Sequence, residues 1–453
     1  MSQSDSSSTP RVVPIATFVV GLWAVAVAAL VILGSDLMWV VALGDTIRDT
    51  GAVPDGIPFA SAPQDGWHNP IVVSELLLSL VHSSGGAGLA ALQVLVVASV
   101  LAVLVTEGRR VGGGEVAIAL TVSAVIVGGA ASFVITRLPT LSLLPFVVAV
   151  AVMRRQHDEP SRALWWLVPI YLLWGNLHGA VLVGLAVLGV FLVASRHAGP
   201  IGRRLGVGLG CAASLVLTSA GSGTPAYYLS ALGNEAAARG TDLWARPDLT
   251  QPLDLALVVM AAVLLVRCAR RPTPLWEWVA AAGLLIGTVS AARHGVWLLL
   301  FLAPAAVRPR RKADSGRIAV PRHGWATTAT AISAAVGVTV LLALRADAVL
   351  PRGADAVDAV RDYAAGRPVL ADEPFAETLA QGGVTVWMAN PIDAFPREQQ
   401  AEFLDFLHDG ATPPSADVSV AAVSGELAVE LTRSGHWTES FTTGDVMVLR
   451  RLP

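Results

Sequence analysis

Charged residues are scarce in this chain of 453 residues. They make up 14% of it, against roughly 25% in an average soluble domain. Hydrophobic residues make up 54%, so there is too little charge to cover the surface of a soluble protein of this length. The balance excludes an ordinary cytosolic enzyme. The high apolar content, with a net charge of only -3, also excludes an intrinsically disordered chain.

Cysteine is nearly absent as well. Cys211 and Cys268 lie in or beside apolar runs, and two cysteines exclude both a disulfide framework and a cysteine-rich zinc site. The histidines show no HExxH or equivalent spacing, so the sequence predicts no metal site of that kind. The polar C-terminal part has neither a GxGxxG nor a GxxxxGK[ST] run, so nucleotide binding is not indicated and no nucleic acid is expected as a partner.

Long apolar runs are the main feature that is present. A transmembrane helix needs roughly 20 apolar residues, and by that rule we expect about eleven such helices. They are predicted near 13–34, 88–106, 115–134, 138–153, 163–178, 179–195, 204–219, 252–267, 276–292, 294–308 and 325–344. The Ser-rich start, residues 1–12, is predicted to be a disordered cytoplasmic head. The fold class is therefore an α-helical polytopic membrane protein, with 13–344 as its transmembrane domain.

The placement of basic residues predicts the orientation of these spans. One set of loops carries 18 basic residues and the opposite set carries five. The basic set is expected in the cytoplasm of a cell whose plasma membrane the chain crosses. The N-terminus, with Arg11, belongs to this cytoplasmic set, so the loops 35–87 and 220–251 are expected outside. An odd number of spans then places the tail 345–453 outside as well.

The tail is predicted to be a small extracytoplasmic α/β domain. Its 8 basic and 17 acidic residues give a net charge of -9, which suits a domain standing away from anionic lipid. Short apolar runs predict strands at 368–373, 384–390 and 417–423, and apolar spacing predicts helices at 396–409 and 425–434. The end of the chain predicts a hairpin that turns at Gly444 and Asp445. The stretch 70–82 in the first outer loop predicts a short helix that lies at the interface or is partly re-entrant.

Polar and aromatic residues at the outer ends of the spans are the candidates for a site. Carboxylates near a membrane are costly, so they are functional candidates by default. Arginines offer forked donors to a phosphate, and an acid beside them can serve as a base. The candidates in the first outer loop are Asp36, Trp39, Asp55, Trp67, His68 and Glu75, and those in later outer turns are Arg137, Asn176, His178, Trp244, Arg246, Arg293 and His294.

Each candidate also has a structural alternative. Asp36 could cap the following helix, and Glu75 could pair with an arginine to hold the loop. The two arginines could be interfacial anchors whose head groups reach water. His178 could bond a backbone carbonyl, and the tryptophans could belong to an interfacial belt. The tail acids Asp372, Glu373 and Asp393 are interpreted as loop residues at strand ends.

Several of these residues carry a resemblance to a bacterial group of multi-span membrane proteins related to the GT-C glycosyltransferases. The matching positions in the first outer loop are Asp36-Leu37-Met38-Trp39, Gly44, Ile47, Gly51, Val53-Pro54-Asp55, Pro58-Phe59-Ala60-Ser61 and Gly66-Trp67. Further matches are Arg137 with Pro139, Asn176-Leu177-His178-Gly179, Arg293 and the run from Ala389 to Phe395. The resemblance spans most of the chain in order.

The resemblance implies an inverting transferase that takes a sugar from a polyprenyl-phosphate donor on the outer face. Asp36 would be the base, with Glu75 and His178 as further catalytic residues. Donor binding falls to Arg137, Arg293, His294 and Asn176, and loop contacts to Trp39, Asp55, Trp67, His68, Trp244 and Arg246. The implied partners are membrane lipid and a cell-envelope glycan, lipid or protein acceptor. No cofactor is implied with certainty, and a divalent cation, Mg²⁺ or Mn²⁺, stays open.

The chain departs from the group in the first outer loop. The group's histidine after the paired aromatics aligns with Val40, and the first acid of its second run falls in the stretch at Pro70 and Ile71. A non-catalytic scaffold that binds a partner through its outer parts is therefore the alternative, because a fold does not fix a function. A lipid or solute transporter is a third interpretation. It is disfavoured because the spans show no inverted repeat and carry almost no ionisable residues.

Overall fold

The computed structural model describes residues 14–34, 36–64, 66–241, 244–310, 325–415 and 417–453. The predicted head, 1–12, lies outside the described residues. The helices that precede the C-terminal part are α1 (Ile15–Leu30), α2 (Met38–Thr50), α3 (Val72–His82), α4 (Gly85–Arg110), α5 (Glu115–Gly128), α6 (Ala130–Val134), α7 (Thr140–Asp158), α8 (Leu167–Gly175), α9 (Val181–Ala194), α10 (Ile201–Ala212), α11 (Thr224–Leu232), α12 (Glu235–Arg239), α13 (Pro252–Ala269), α14 (Leu275–Ser290), α15 (Gly295–Ala306) and α16 (Trp325–Leu344). Two short strands, β1 (Ile32–Leu33) and β2 (Ile135–Thr136), lie among them.

The C-terminal part begins after α16 and mixes helices with strands. Its helices are α17 (Val357–Ala364), α18 (Phe375–Gln381), α19 (Arg397–Asp409) and α20 (Gly425–Arg433), and its strands are β3 (Val369–Ala371), β4 (Val420–Ser424), β5 (Trp437–Thr443) and β6 (Val446–Arg451). The strands form one sheet in the order β3-β4-β6-β5. β3 runs parallel to β4, and the other neighbouring pairs are antiparallel.

The apolar helices pack around a long core in which α15 is buried along its whole length. Within the described residues, three helices are both long and apolar enough to cross a membrane, Gly85–Arg110, Pro252–Ala269 and Ala326–Leu344, and others are shorter apolar helices. This composition supports membrane localisation. The predicted span 115–134 is divided between α5 and α6, and 163–178 begins as a 3-10 helix before α8. The number of spans and the orientation of the termini stay predictions.

Helix α16 contacts the rest of the molecule mainly through α1, and most of its apolar side chains face outward. Its end is tied down by Arg345, whose guanidinium donates hydrogen bonds to the backbone carbonyls of Ala28 and Val31, at 2.8 Å and 3.2 Å. These carbonyls are among those that a helix end leaves unsatisfied. Arg345 thus holds the start of the C-terminal part against the end of α1.

Local patterns predicted most of the C-terminal elements. The predicted helices match α19 and α20, and the hairpin turn lies between β5 and β6. The predicted strand at 384–390 is wrong. That segment is extended but forms only single bridges, through Val386 to Val369 on one side and to Ala60 on the other. Its apolar side chains are buried because it lies between β3 and the first outer loop, not because it extends a regular ladder.

The first outer loop and the C-terminal part share one hydrophobic core. Helix α18 packs on α2, and Leu37, Val40 and Val41 are fully buried in the same cluster as Val420 and Phe403. Backbone hydrogen bonds join loop residues 59–62 to residues 386–387. The C-terminal part therefore folds directly onto the loop in which Asp36 stands.

A small parallel ladder places two site residues side by side. Ile32 pairs with Ile135 and Leu33 with Thr136, and the Gly34 N–H continues the register by donating to the Thr136 carbonyl at 2.9 Å. Because the carboxyl ends of parallel strands meet at one edge, the residues that follow them lie close together. Asp36 follows one strand and Arg137 follows the other.

Candidate active site

A large cavity lies between one end of the apolar helices and the C-terminal part. Its volume is about 1520 Å³. Asp36, Arg137, His178 and Arg293 all line it, although they come from four separate segments. Pockets for drug-sized ligands measure roughly 300–1,000 Å³, so this cavity has room for two ligands at once.

Asp36 and Arg137 lie next to each other in the cavity wall. Arg137 Nε lies 3.8 Å from Asp36 Oδ1, which is an ion pair but longer than a hydrogen bond. Neither atom has a hydrogen-bond partner among the described residues, although both are buried. Burial raises the pKa of Asp36, while Arg137, the residue's own backbone N–H and Arg293 oppose the rise. A buried acid and a buried cation thus lie close together, and each keeps an atom without a hydrogen-bond partner among the described residues.

The close approach of these two residues requires glycine at position 34. A Cβ added to Gly34 would lie 2.6 Å from Arg137 Cγ and 2.7 Å from the Thr136 carbonyl oxygen. Both contacts are shorter than real Cβ atoms show. The missing side chain therefore lets Arg137 lie against the backbone that leads to Asp36.

The second cation of the site is Arg293, in the turn before α15. Its guanidinium carbon lies 3.6 Å from the ring centre of Trp244, a stacking geometry that orients the planar head group. Burial lowers its pKa to about 10, with Arg137 adding to this and Asp36 opposing it. It therefore stays charged at neutral pH.

His178 is held in one tautomer by its own turn. The Ala180 backbone N–H donates to its Nδ1 at 3.1 Å, and the Ser142 hydroxyl lies 3.2 Å from the same nitrogen. An Nδ1 that accepts the Ala180 N–H carries no proton, so the imidazole is neutral. A neutral imidazole that accepts at Nδ1 carries its proton on Nε2. His178 is therefore a neutral hydrogen-bond donor in the cavity wall.

Glu75 is fully buried but does not line the cavity. Its Oε2 accepts a hydrogen bond from Asn69 at 2.6 Å, and burial raises its pKa to about 8. Helix α2 crosses its backbone at Gly44, where a Cβ would lie 2.1 Å from the Glu75 carbonyl oxygen. Glu75 is thus buried where α3 packs against α2 within the first outer loop. No arginine pairs with it among the described residues.

The remaining predicted residues divide into two groups. Trp39, Trp244 and His294 line the cavity with the four residues above. Asp55, Trp67, His68, Asn176 and Arg246 do not line it.

Three of these five are exposed and two have structural contacts. Asp55, His68 and Arg246 are exposed. Trp67 is buried against the edge of the Tyr227 ring. Asn176 gives its side-chain N–H groups to the carbonyls of Leu172 and Leu217, both at 2.9 Å, which ties the end of α8 to a neighbouring turn.

The structure also places residues in the wall that the sequence did not single out or that were interpreted otherwise. Asp372, Glu373 and Asp393 line the cavity. Asp372 and Glu373 are loop residues at the end of β3, as predicted, whereas Asp393 lies in a short 3-10 helix, Ile392–Ala394. Tyr228 and Asn390 line it as well. One signal was available, because Asp372 and Glu373 directly follow β3, and ligands often bind beyond the carboxyl ends of parallel strands.

No group of three or more histidine, cysteine, aspartate or glutamate residues in the described part of the chain is arranged to hold a metal ion. Asp36, the acid at which a cation would be expected, already has the Arg137 guanidinium as its ion-pair partner, with Nε at 3.8 Å from Oδ1. The donor set around Asp36 therefore does not fit a divalent cation, and no step proposed below depends on one.

No family model matches the chain, and no curated protein matches it. Solved structures do. Arabinofuranosyltransferase AftD from Mycobacteria has 15% identity and a TM-score of 0.54, over 99% of this chain and 42% of that one. ArnT from Cupriavidus metallidurans has 13% identity and a TM-score of 0.50 bound to undecaprenyl phosphate, and 14% and 0.53 in the apo state. Both ArnT matches cover 96% of this chain and 97% of that one.

The chain spans about two fifths of the AftD length, and nearly all of ArnT. At these identities the likeness concerns the fold. It confirms the resemblance to the GT-C glycosyltransferases that the motifs indicated.

Proposed function

We propose that the protein is a glycosyltransferase that works at the outer face of the plasma membrane and takes its sugar from a polyprenyl-phosphate donor. The observation that carries this proposal is the convergence of Asp36, Arg137 and Arg293 on one cavity. The cavity joins apolar helices to a polar C-terminal part, and a donor of this kind has an apolar tail and a charged head. The acceptor would be a hydroxyl of a cell-envelope glycan, lipid or protein.

Asp36 would act as the general base. Its carboxylate accepts the proton of the acceptor hydroxyl while that oxygen attacks the anomeric carbon. The bond from this carbon to the phosphate oxygen breaks on the opposite side, so the configuration inverts. A general base works best when its pKa lies close to the working pH. The raised pKa of Asp36 moves it in that direction.

The arginines would hold the leaving lipid phosphate. Arg293 presents a planar fork fixed by Trp244, and Arg137 has a buried Nε that is free of hydrogen bonds within the described structure. Forked guanidinium groups match phosphate oxygens in geometry and charge. His178 adds a neutral N–H donor from the same wall. Together they stabilise the negative charge that develops on the phosphate as the sugar departs.

The Asp36→Asn variant tests the base. The amide keeps the size of the side chain but cannot take a proton, so transfer should fall about 10²- to 10⁴-fold. The assay follows labelled polyprenyl-phosphate pentoses and hexoses into envelope acceptors in isolated membranes. Asp55→Asn is the matched control, because Asp55 is an exposed acid of the same loop. Transfer by Asp36→Asn at the Asp55→Asn rate would refute the assignment.

Binding of undecaprenyl phosphate to the purified chain tests the phosphate site separately. Arg293→Gln should weaken binding at least tenfold, because a charge-assisted bidentate contact is lost. Arg246→Gln, an exposed arginine from the same outer region, should not. Asp36→Asn should retain binding while losing transfer. A wild-type chain that binds no lipid phosphate would favour the scaffold interpretation, and transfer after treatment with a chelator shows whether a divalent cation takes part.

A further inference from the structure

The two walls of the cavity differ in charge. The membrane-side wall contributes Arg137 and Arg293 beside Asp36. The wall formed by the C-terminal part is rich in carboxylates: Asp372, Glu373, Asp393, Glu426 and Glu430. Its basic groups are Arg352, which pairs with Asp445 at 3.4 Å, and His408. Like charges at close range disfavour binding, so this wall is unsuited to an anionic ligand.

Two buried polar atoms that line the cavity lack partners: one belongs to Tyr228 of α11, which precedes the C-terminal part, and the other to Asp393 within that part. Tyr228 is only 7% exposed, lines the cavity, and has a buried hydroxyl with no hydrogen-bond partner in the described structure. Asp393 Oδ2 is also buried without a partner among those residues. An unsatisfied buried polar atom carries a desolvation cost of about 1–3 kcal/mol. Both atoms are therefore positioned to be satisfied by a ligand.

Asn390 lines the same cavity and is fixed in place. Its backbone N–H and its side-chain Nδ2 both donate to Glu377 Oε1, at 3.3 Å and 2.9 Å. Glu377 itself is fully buried behind it. One carboxylate, one amide and one phenol thus face the same space, and burial raises the pKa of Tyr228 to about 12, so the phenol keeps its proton.

Resting on the proposed transfer reaction, we propose that this wall and Tyr228 of α11 together form the acceptor subsite, which takes a neutral glycan through Tyr228, Asn390 and Asp393. A sugar hydroxyl both donates and accepts hydrogen bonds, which matches a set that contains a carboxyl group, an amide and a phenol. The cavity volume leaves room for such a chain end beside a donor head group. The acceptor would then present one hydroxyl to Asp36 on the opposite wall.

Binding to the full-length chain in lipid nanodiscs tests the subsite without a donor sugar. The probes are neutral tetrasaccharides of pentoses and hexoses and a tetragalacturonate of equal length. At least one neutral probe should bind, and the uronate should bind at least tenfold more weakly. Tyr228→Phe and Asp393→Asn should each weaken the neutral probe several-fold to about tenfold. Asp358→Asn, which changes an acid 86% exposed on the same part of the chain, should have no effect.

The outcomes separate this inference from the proposed function. Tyr228→Phe breaks no hydrogen bond of the described structure, so its melting temperature should equal that of the wild type. Equal binding of the uronate, no binding of any neutral probe, or full affinity in both variants would overturn the subsite. Neutral-glycan binding in a chain that fails to bind undecaprenyl phosphate would leave the subsite standing and sink the transfer reaction. Binding of undecaprenyl phosphate in a chain that binds no neutral glycan would overturn the subsite and leave the proposed transfer reaction standing.

Discussion

Replacing Gly34 by alanine is the sharpest test of how the site is assembled. The added methyl group would lie about 0.8 Å inside ordinary contact, which begins at 3.4 Å, with Arg137 Cγ. The Thr136 carbonyl, at 2.7 Å from the same methyl group, cannot move away easily because it accepts the Gly34 N–H. The strain must therefore move the Arg137 side chain or separate the two short strands.

The size of the effect follows from these distances. A misplacement of about 1 Å in a site can lower a rate about 10²-fold, and overpacking costs about 1–3 kcal/mol of stability. We expect Gly34→Ala to reduce sugar transfer about 10- to 100-fold and to weaken undecaprenyl phosphate binding. The loss of stability should be small enough for the chain to fold. Transfer kinetics and thermal unfolding measure the two effects.

The control for this variant is Gly283→Ala. A Cβ at Gly283 meets no described atom within 4 Å, so transfer and lipid binding should match those of the wild type. If Gly34→Ala keeps wild-type transfer and lipid binding, the close contact between Gly34 and Arg137 does not position the site. An equal loss of transfer in both variants would show that the assay reports general damage to the helices.

Two further variants test buried charges away from the cavity. Folding raises the pKa of Glu75 from 4.5 to about 8, so its contribution to stability is complete below pH 4.5 and is lost as the pH rises to about 8. Glu75→Gln, which can still bond Asn69, should flatten that loss in thermal melts between these pH values, and an unchanged slope would contradict the shift. Glu277 pairs with Arg154 at 3.0 Å and with Arg308 at 2.5 Å. Glu277→Gln should therefore cost about 3–5 kcal/mol, seen as a lower melting temperature, and an unaltered melting temperature would refute it.

Local patterns carried most of the fold prediction. The α19 spacing and the turn between β5 and β6 depend on neighbouring residues, so they could be read from the chain. The segment at 384–390 could not, because its apolar residues satisfy either a strand or a buried connection. Only its position between β3 and the first outer loop decides which.

The candidate site was predictable where charge is rare. Asp36, Arg137 and Arg293 stand out because few ionisable residues occur near the spans, and the structure brings all three to one cavity. Tyr228 and Asn390 are uncharged, so the scarcity of charge does not single them out, although Asn390 falls in the matching run from Ala389 to Phe395. Their role depends on which segments pack together across more than a hundred residues of sequence.

The shared core of α2 and the C-terminal part also determines when the site can exist. Asp36 belongs to the first tenth of the chain, and the wall opposite it is contributed by residues after 350. During synthesis, the apolar face of α2 therefore stays without its final partners until almost the entire chain has been made. Such long-range contacts form slowly, and exposed apolar surface invites wrong association meanwhile. A chain that stops before β6 would retain its apolar helices yet lack part of the sheet that covers the first outer loop.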